Sequence, residues 1–292
     1  MRVFVLGVLA IAIVGFGLFL AFTSPPKLLS LLDRAAGGGN GTVKVGTGIG
    51  FGDQGQTLDV WAPAEATDDL RPVVIFWYGG GWVKGDRDAY AFAGRALASE
   101  GFLVVVPDYR KVPGVRFPSF LQDGADAVRW TRDNARRFGG DPDRISFSGH
   151  SAGAYIAVML ALDERWLRAV DVDPEIVDSA VGLSGPYDFY PFDTKRSIDA
   201  MHGAPDPLLT QPISFARADA PPLLLITSTE DETVRPRNAI NLAAMLEEAG
   251  APVTVINYEG LDHEDVVMAL SSPYRGKAPV LQQSAQFMRA AR

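Results

Sequence analysis

Short apolar runs rich in β-branched residues alternate, from residue 57 onwards, with longer segments whose apolar positions recur at helical spacing. Thr57–Trp61, Val73–Trp77, Leu103–Pro107, Ile145–Ser148, Ala180–Ser184, Leu223–Thr227 and Val253–Tyr258 predict strands. Ala89–Ser99, Phe120–Arg137, Ala152–Leu162, Pro236–Glu248 and Val280–Ala290 predict amphipathic or buried helices, the fourth stopping at Gly250. Strands alternating with helices imply an α/β fold: a mostly parallel central sheet of about eight strands, helices on both faces, and an antiparallel edge from the first runs. The stretch 186–221 breaks the rhythm. It is too long for an ordinary connection and predicts a lid or pocket wall.

The N-terminus follows a different pattern. Val3 to Phe22 is uncharged and apolar throughout, about the 20 residues a helix needs to cross a bilayer core. It predicts one N-terminal transmembrane anchor over residues 1–22, with the remaining chain outside the cytoplasm; the alternative is a cleaved signal segment and a secreted protein. Residues 23–42 hold Pro25-Pro26 and a glycine cluster at Gly37-Gly38-Gly39 and predict a linker. One folded domain is then expected over 43–292.

Composition narrows the function. The chain has 27 Lys+Arg against 35 Asp+Glu, a formal net charge of −8, so it lacks the basic stripe that nucleic-acid binding requires. It has no cysteine, which removes disulfides, thiolate metal sites and a cysteine nucleophile. No metal or organic cofactor is called for.

Gly149-His150-Ser151-Ala152-Gly153 lies between a predicted strand and a predicted helix, the setting in which G-x-S-x-G forms a nucleophile elbow. Tyr78-Gly79-Gly80-Gly81-Trp82 follows another strand, where a glycine turn can aim N–H groups at a developing oxyanion. Gly80, Gly81 and Ala152 are the candidate donors. A serine nucleophile needs a base, and the chain has three histidines. His150 lies inside the elbow and His202 in the irregular stretch, whereas His263 follows the last predicted strand, at the sheet end where catalytic groups collect. The acid belongs between serine and histidine in chain order. Glu230, Asp231 and Glu232 sit together after the strand Leu223–Thr227. Tyr78, Trp82, Tyr187, Phe189 and Tyr190 are candidates for an apolar substrate pocket.

Taken together these motifs resemble the α/β-hydrolase superfamily, and within it the carboxylesterases related to hormone-sensitive lipase and a bacterial feruloyl-esterase-like group, with kynurenine formamidase nearby. Tyr78 to Trp82 is similar to the H-G-G-G-W oxyanion loop, Asp108-Tyr109-Arg110 to a D-Y-R motif, and Gly149 to Gly153 to G-H-S-A-G. Asp123 in the segment after Phe117-Pro118 is similar to a family aspartate. The resemblance singles out Asp231, in a D-x-x-V-x-P setting with Val234 and Pro236, and so implies a triad of Ser151, Asp231 and His263. It implies hydrolysis of small carboxylic esters through an acyl-enzyme, with an arylformamidase-type amidase or a non-catalytic membrane-tethered binding protein as alternatives. Two departures stand out: Tyr78 replaces the family histidine, and no large helical cap is evident.

Overall fold

Eight strands form a single sheet in the order β1-β2-β4-β3-β5-β6-β7-β8 in the computed structural model, which describes residues 23–291. The strands are β1 (Thr42–Phe51), β2 (Gln56–Pro63), β3 (Arg71–Trp77), β4 (Leu103–Pro107), β5 (Gly140–His150), β6 (Val177–Leu183), β7 (Leu223–Ser228) and β8 (Val253–Tyr258). β2 runs antiparallel to β1 and to β4; the pairings from β4 through β3 to β8 are parallel. Every position of β4, β6 and β7 is buried, as expected of a parallel sheet covered on both faces.

The connections supply the cover. Helices α2 (Ala91–Ser99), α3 (Ser119–Asn134), α4 (Ala152–Leu162), α5 (Arg165–Arg168), α6 (Lys195–Met201), α7 (Arg237–Ala249), α8 (His263–Met268) and α9 (Val280–Ala290) follow in chain order after α1 (Pro25–Ala35). α3 packs against α4, and α2 against α9. α4 is buried along its whole length, so its apolar residues show no polar face. From β3 the chain first crosses to β4 and then returns to β5 on β3's other side. That reversal opens a crevice at the carboxyl ends of β3 and β5, the place where open α/β sheets bind ligands. The Gly79-Gly80-Gly81 loop leaves β3 there, and Ser151 leaves β5 there.

The linker expected at residues 23–42 is corrected in its first half, where α1 forms. Pro25 and Pro26 occupy its first turn, where a missing N–H costs nothing and the fixed φ favours the helix. α1 is docked rather than loose. The buried Asp33 carboxylate accepts from Arg95 of α2 at 2.7 and 3.0 Å and from the Ser272 N–H at 2.8 Å. Breaking a buried pair leaves the other charge uncompensated, at about 3–5 kcal/mol. Asp33→Ala is therefore expected to lower the thermal midpoint by roughly 6–12 °C; a midpoint within about 2 °C of wild type in calorimetry would show that α1 contributes nothing to the domain.

No helix among the described residues is long and apolar enough to cross a membrane. The apolar run 3–22 lies outside those residues.

Candidate active site

Ser151 has φ 55° and ψ −120°, a left-handed conformation that costs a non-glycine residue about 1–3 kcal/mol and persists only where its surroundings impose it. Two hydrogen bonds impose it. Its N–H donates to the Leu183 carbonyl of β6 at 2.8 Å and its carbonyl accepts from Tyr155 at 3.0 Å, tying the turn to the sheet and to α4. The flanking glycines let the turn close. A Cβ on Gly149 would stand 2.5 Å from the Gly153 carbonyl group, and one on Gly153 would stand 2.1 Å from the Trp77 carbonyl oxygen. Ala152 opens α4, so its N–H has no acceptor within its own helix.

The Gly79-Gly80-Gly81 loop comes off β3 beside this turn. Gly80 has φ 138° and a Cβ there would meet the Lys84 carbonyl at 2.1 Å, so only glycine fits. Among the described residues no acceptor takes the N–H of Gly80 or Gly81. The loop is held from behind by Tyr78, whose hydroxyl donates to Asp108 Oδ1 at 2.9 Å and accepts from Lys111 Nζ at 2.9 Å, and whose ring stacks on that of Tyr109 with centroids 4.7 Å apart. Burial, then the neighbouring Tyr109 and Asp108, pushes the Tyr78 hydroxyl pKa well up, so it stays a neutral donor. Arg87 also binds Asp108 through its backbone N–H at 3.1 Å and its guanidinium. Arg110 is fixed by the buried Asp123, which accepts from its N–H at 2.7 Å and from Nε at 2.9 Å.

The candidate base and the candidate acid lie side by side. His263 Nδ1 lies 2.8 Å from Asp231 Oδ2, both residues buried. Asp231 Oδ1 accepts from the N–H groups of Thr233 at 3.0 Å and Val234 at 2.7 Å, which leaves Oδ2 for the imidazole. Glu230 and Glu232 are exposed, and so is His202. His263 opens α8 after Asp262, whose side chain caps the helix through the Asp265 N–H. The pair sits at the elbow: the ring of His150, next to Ser151, is centred 4.9 Å from the His263 ring.

The stretch 186–221 folds over the loop as a wall. Gln211 Oε1 accepts from the N–H groups of Phe189 and Tyr190 at 2.8 and 3.1 Å, and α6 follows with a Thr194/Ser197 capping box. Arg196 of α6 reaches the glycine loop; a Cβ on Gly81 would stand 2.9 Å from its Cδ. Phe189 stacks on Trp82 at 6.0 Å and meets Tyr155 edge-on at 5.9 Å, while Tyr190 is exposed. Two of the expected pocket residues are corrected. Tyr78 is fully buried behind the loop. Tyr187 is also fully buried, its ring against Gly182 and Gly185, because Asn238 Oδ1 captures the N–H groups of Tyr187 and Asp188 at 2.9 Å and turns the segment inward.

The BD-FAE family pattern matches residues 58–246, about two-thirds of the chain and both glycine motifs. The chain belongs to the BD-FAE family. This places it among the carboxylesterases of the α/β-hydrolase superfamily. Isoprenylcysteine alpha-carbonyl methylesterase of Arabidopsis thaliana is 30% identical over 250 residues, covering 78% of this chain and 58% of the relative. Esterase LipQ of Mycobacterium tuberculosis is 28% identical over 249 residues, 78% of this chain and 58% of the relative. The chain thus spans under two-thirds of the length of these relatives. Among solved structures, the Pyrobaculum calidifontis esterase superposes with a TM-score of 0.72 at 21% identity, over 91% of this chain and 90% of that one. A truncated carbohydrate esterase from gut microbiota gives 0.71 at 23% identity, over 86% and 95%. The two solved structures share the α/β-hydrolase fold of this chain.

Proposed function

We propose that this BD-FAE chain is a serine carboxylesterase acting on small carboxylic esters. The observation that carries this reading is the strained Ser151 at the start of α4, with the buried His263–Asp231 pair beside the same elbow. Ser151 Oγ attacks the ester carbonyl while His263 takes its proton. Asp231, held by two N–H groups, fixes Nδ1–H on the imidazole and stabilises the imidazolium that forms. The N–H groups of Gly80, Gly81 and Ala152 stabilise the tetrahedral oxyanion. His263 then protonates the departing alcohol, and water hydrolyses the acyl-enzyme by the same route in reverse. Trp82 and Phe189 border the acyl group on an aromatic ledge, which suits a short or aryl acyl chain.

Initial rates of the full chain on p-nitrophenyl esters from acetate to decanoate and on N-formylkynurenine test the reading, with Ser151→Ala as control. The expected result is a maximum on short esters and a loss of roughly 10⁴-fold or more in the control. Turnover of the formamide alone would make the enzyme an amidase, and equal rates in the control would remove Ser151 from the chemistry.

In this reading residues 3–22 tether the domain to a membrane, as their length and lack of charge favour, with the domain on the side away from the cytoplasm. The full chain is expected to stay in the membrane pellet after an alkaline carbonate wash. A soluble chain beginning near Thr23 would replace the anchor with a cleaved signal.

A further inference from the structure

His150 sits between the two halves of the site, and its hydrogen bonds have only one consistent direction. Its Nε2 lies 3.2 Å from the His263 carbonyl oxygen. A carbonyl can only accept, so the proton is on Nε2. Nδ1 is then bare and accepts from the Tyr90 hydroxyl at 3.2 Å. Two hydrogen bonds thus form one chain, Tyr90 to His150 and His150 to His263, and Gly79 packs against its Tyr90–His150 end. The chain touches the residue before Gly80 at one end and reaches the His263 backbone at the other.

The chain is also closed to solvent. Tyr90 and His150 are buried, both about 4% exposed, and a Cβ on Gly79 would stand 2.7 Å from His150 Nδ1 and 2.9 Å from the Tyr90 hydroxyl. Burial first, and the neighbouring His263 second, holds the His150 pKa well below that of a free imidazole, which keeps the ring neutral and its single proton in place. Burial also pushes the Tyr90 hydroxyl up, so it remains a donor. A ring this close to Ser151 that touches neither Asp231 nor solvent has no direct part in the proton transfers.

We infer that His150 and Tyr90 are positioning residues that couple the oxyanion loop to the catalytic base, setting the loop amides and the His263 ring in one frame around Ser151. The inference rests on the proposed ester hydrolysis, and predicts losses in the chemical step with little change in substrate binding. A shift of the base by about 1 Å can cost on the order of 10²-fold in rate.

Asn and Gln separate the two bonds of His150. Asparagine places an acceptor near Nδ1 but no donor near the His263 carbonyl; glutamine reaches that carbonyl with an N–H. His150→Asn, His150→Gln and Tyr90→Phe in the full chain are compared in kcat and KM on p-nitrophenyl butyrate, in labelling rate of Ser151 by a fluorophosphonate, and in thermal midpoint. His150→Asn is expected to lose about 30-fold in kcat and in labelling rate with KM within about twofold. His150→Gln is expected to recover to within about fivefold of wild type. Tyr90→Phe combined with His150→Asn is expected to lose less than the product of the single losses, as for groups acting as a unit. Wild-type rates in His150→Asn, or equal losses in the Asn and Gln variants that follow the thermal midpoint, would reduce His150 to a packing residue and overturn the inference. A wild-type chain labelled by the phosphonate but inert on the ester would overturn the ester reading, with the labelling series still deciding the role of His150.

Discussion

Asp231→Asn is expected to lower kcat by about 10³- to 10⁴-fold while leaving the fold intact. The amide can keep the Thr233 and Val234 contacts through its oxygen, now 3.0 and 2.7 Å from those N–H groups. Its NH₂ then faces His263 Nδ1 across the 2.8 Å contact, and a donor there drives the proton to the other ring nitrogen. That tautomer cannot accept from Ser151. Glu230→Gln and Glu232→Gln change exposed carboxylates and are expected to stay within about twofold of wild type. Steady-state rates on one short ester, with circular dichroism to confirm folding, check the set. A large loss in Glu230→Gln with near-normal turnover in Asp231→Asn would move the acid to the neighbouring residue.

Gly153→Ala is the substitution with the largest expected structural effect. The added carbon would stand 2.1 Å from the Trp77 carbonyl oxygen and 2.6 Å from that of Tyr78. Both obstacles are backbone, so no side-chain rotation relieves the overlap. Either α4 moves away from β3 or the start of the oxyanion loop is displaced. The expected cost is about 3 kcal/mol or more, a fall in thermal midpoint of roughly 6–12 °C, and loss of activity in whatever remains folded. Gly276→Ala, where an added carbon meets nothing within 4 Å, is expected to shift the midpoint by under about 2 °C. Calorimetry of the two variants side by side checks the contrast; equal midpoints would mean that the elbow is not packed against β3 as described.

Much of the fold is legible in the residues because the central parallel strands β4, β6 and β7 are buried at every position and read as apolar runs, while the partly exposed β8 still shows β-branched alternation. Leu103–Pro107 and Val253–Tyr258 have the expected bounds, as do the helices at Ala152–Leu162 and Val280–Ala290. The elements that escape the pattern carry little buried apolar surface. β1 includes Gly46, Gly48 and Gly50 and exposes Val43 and Val45, so an edge strand passes for irregular chain. α8 has six residues, too few for a helical period to show, although Asp262 before it is a recognisable cap. Pro25-Pro26 points to a breaker when it in fact opens α1.

The site divides in the same way. Ser151, His263 and the glycine loop follow from motif and chain order, because each motif is local. Glu230, Asp231 and Glu232 cannot be ranked by their order alone; the distinction is burial and the 2.8 Å contact with a residue 32 positions away. Aromatic character likewise does not say which side of a loop a ring takes. Tyr78 and Tyr187 turn inward under Asp108 and Asn238, whereas Trp82 and Phe189 stack on each other. His150 is visible as one of three histidines, but its bond to His263 joins residues 113 apart and exists only once the loop after β8 has folded against the elbow.

The most direct test of the account is to treat the folded full chain with a fluorophosphonate and locate the adduct by peptide mass spectrometry. A single adduct on Ser151, absent from Ser151→Ala and slowed by orders of magnitude in His263→Ala, is the predicted result. An adduct on another residue, or none on folded protein, would contradict it.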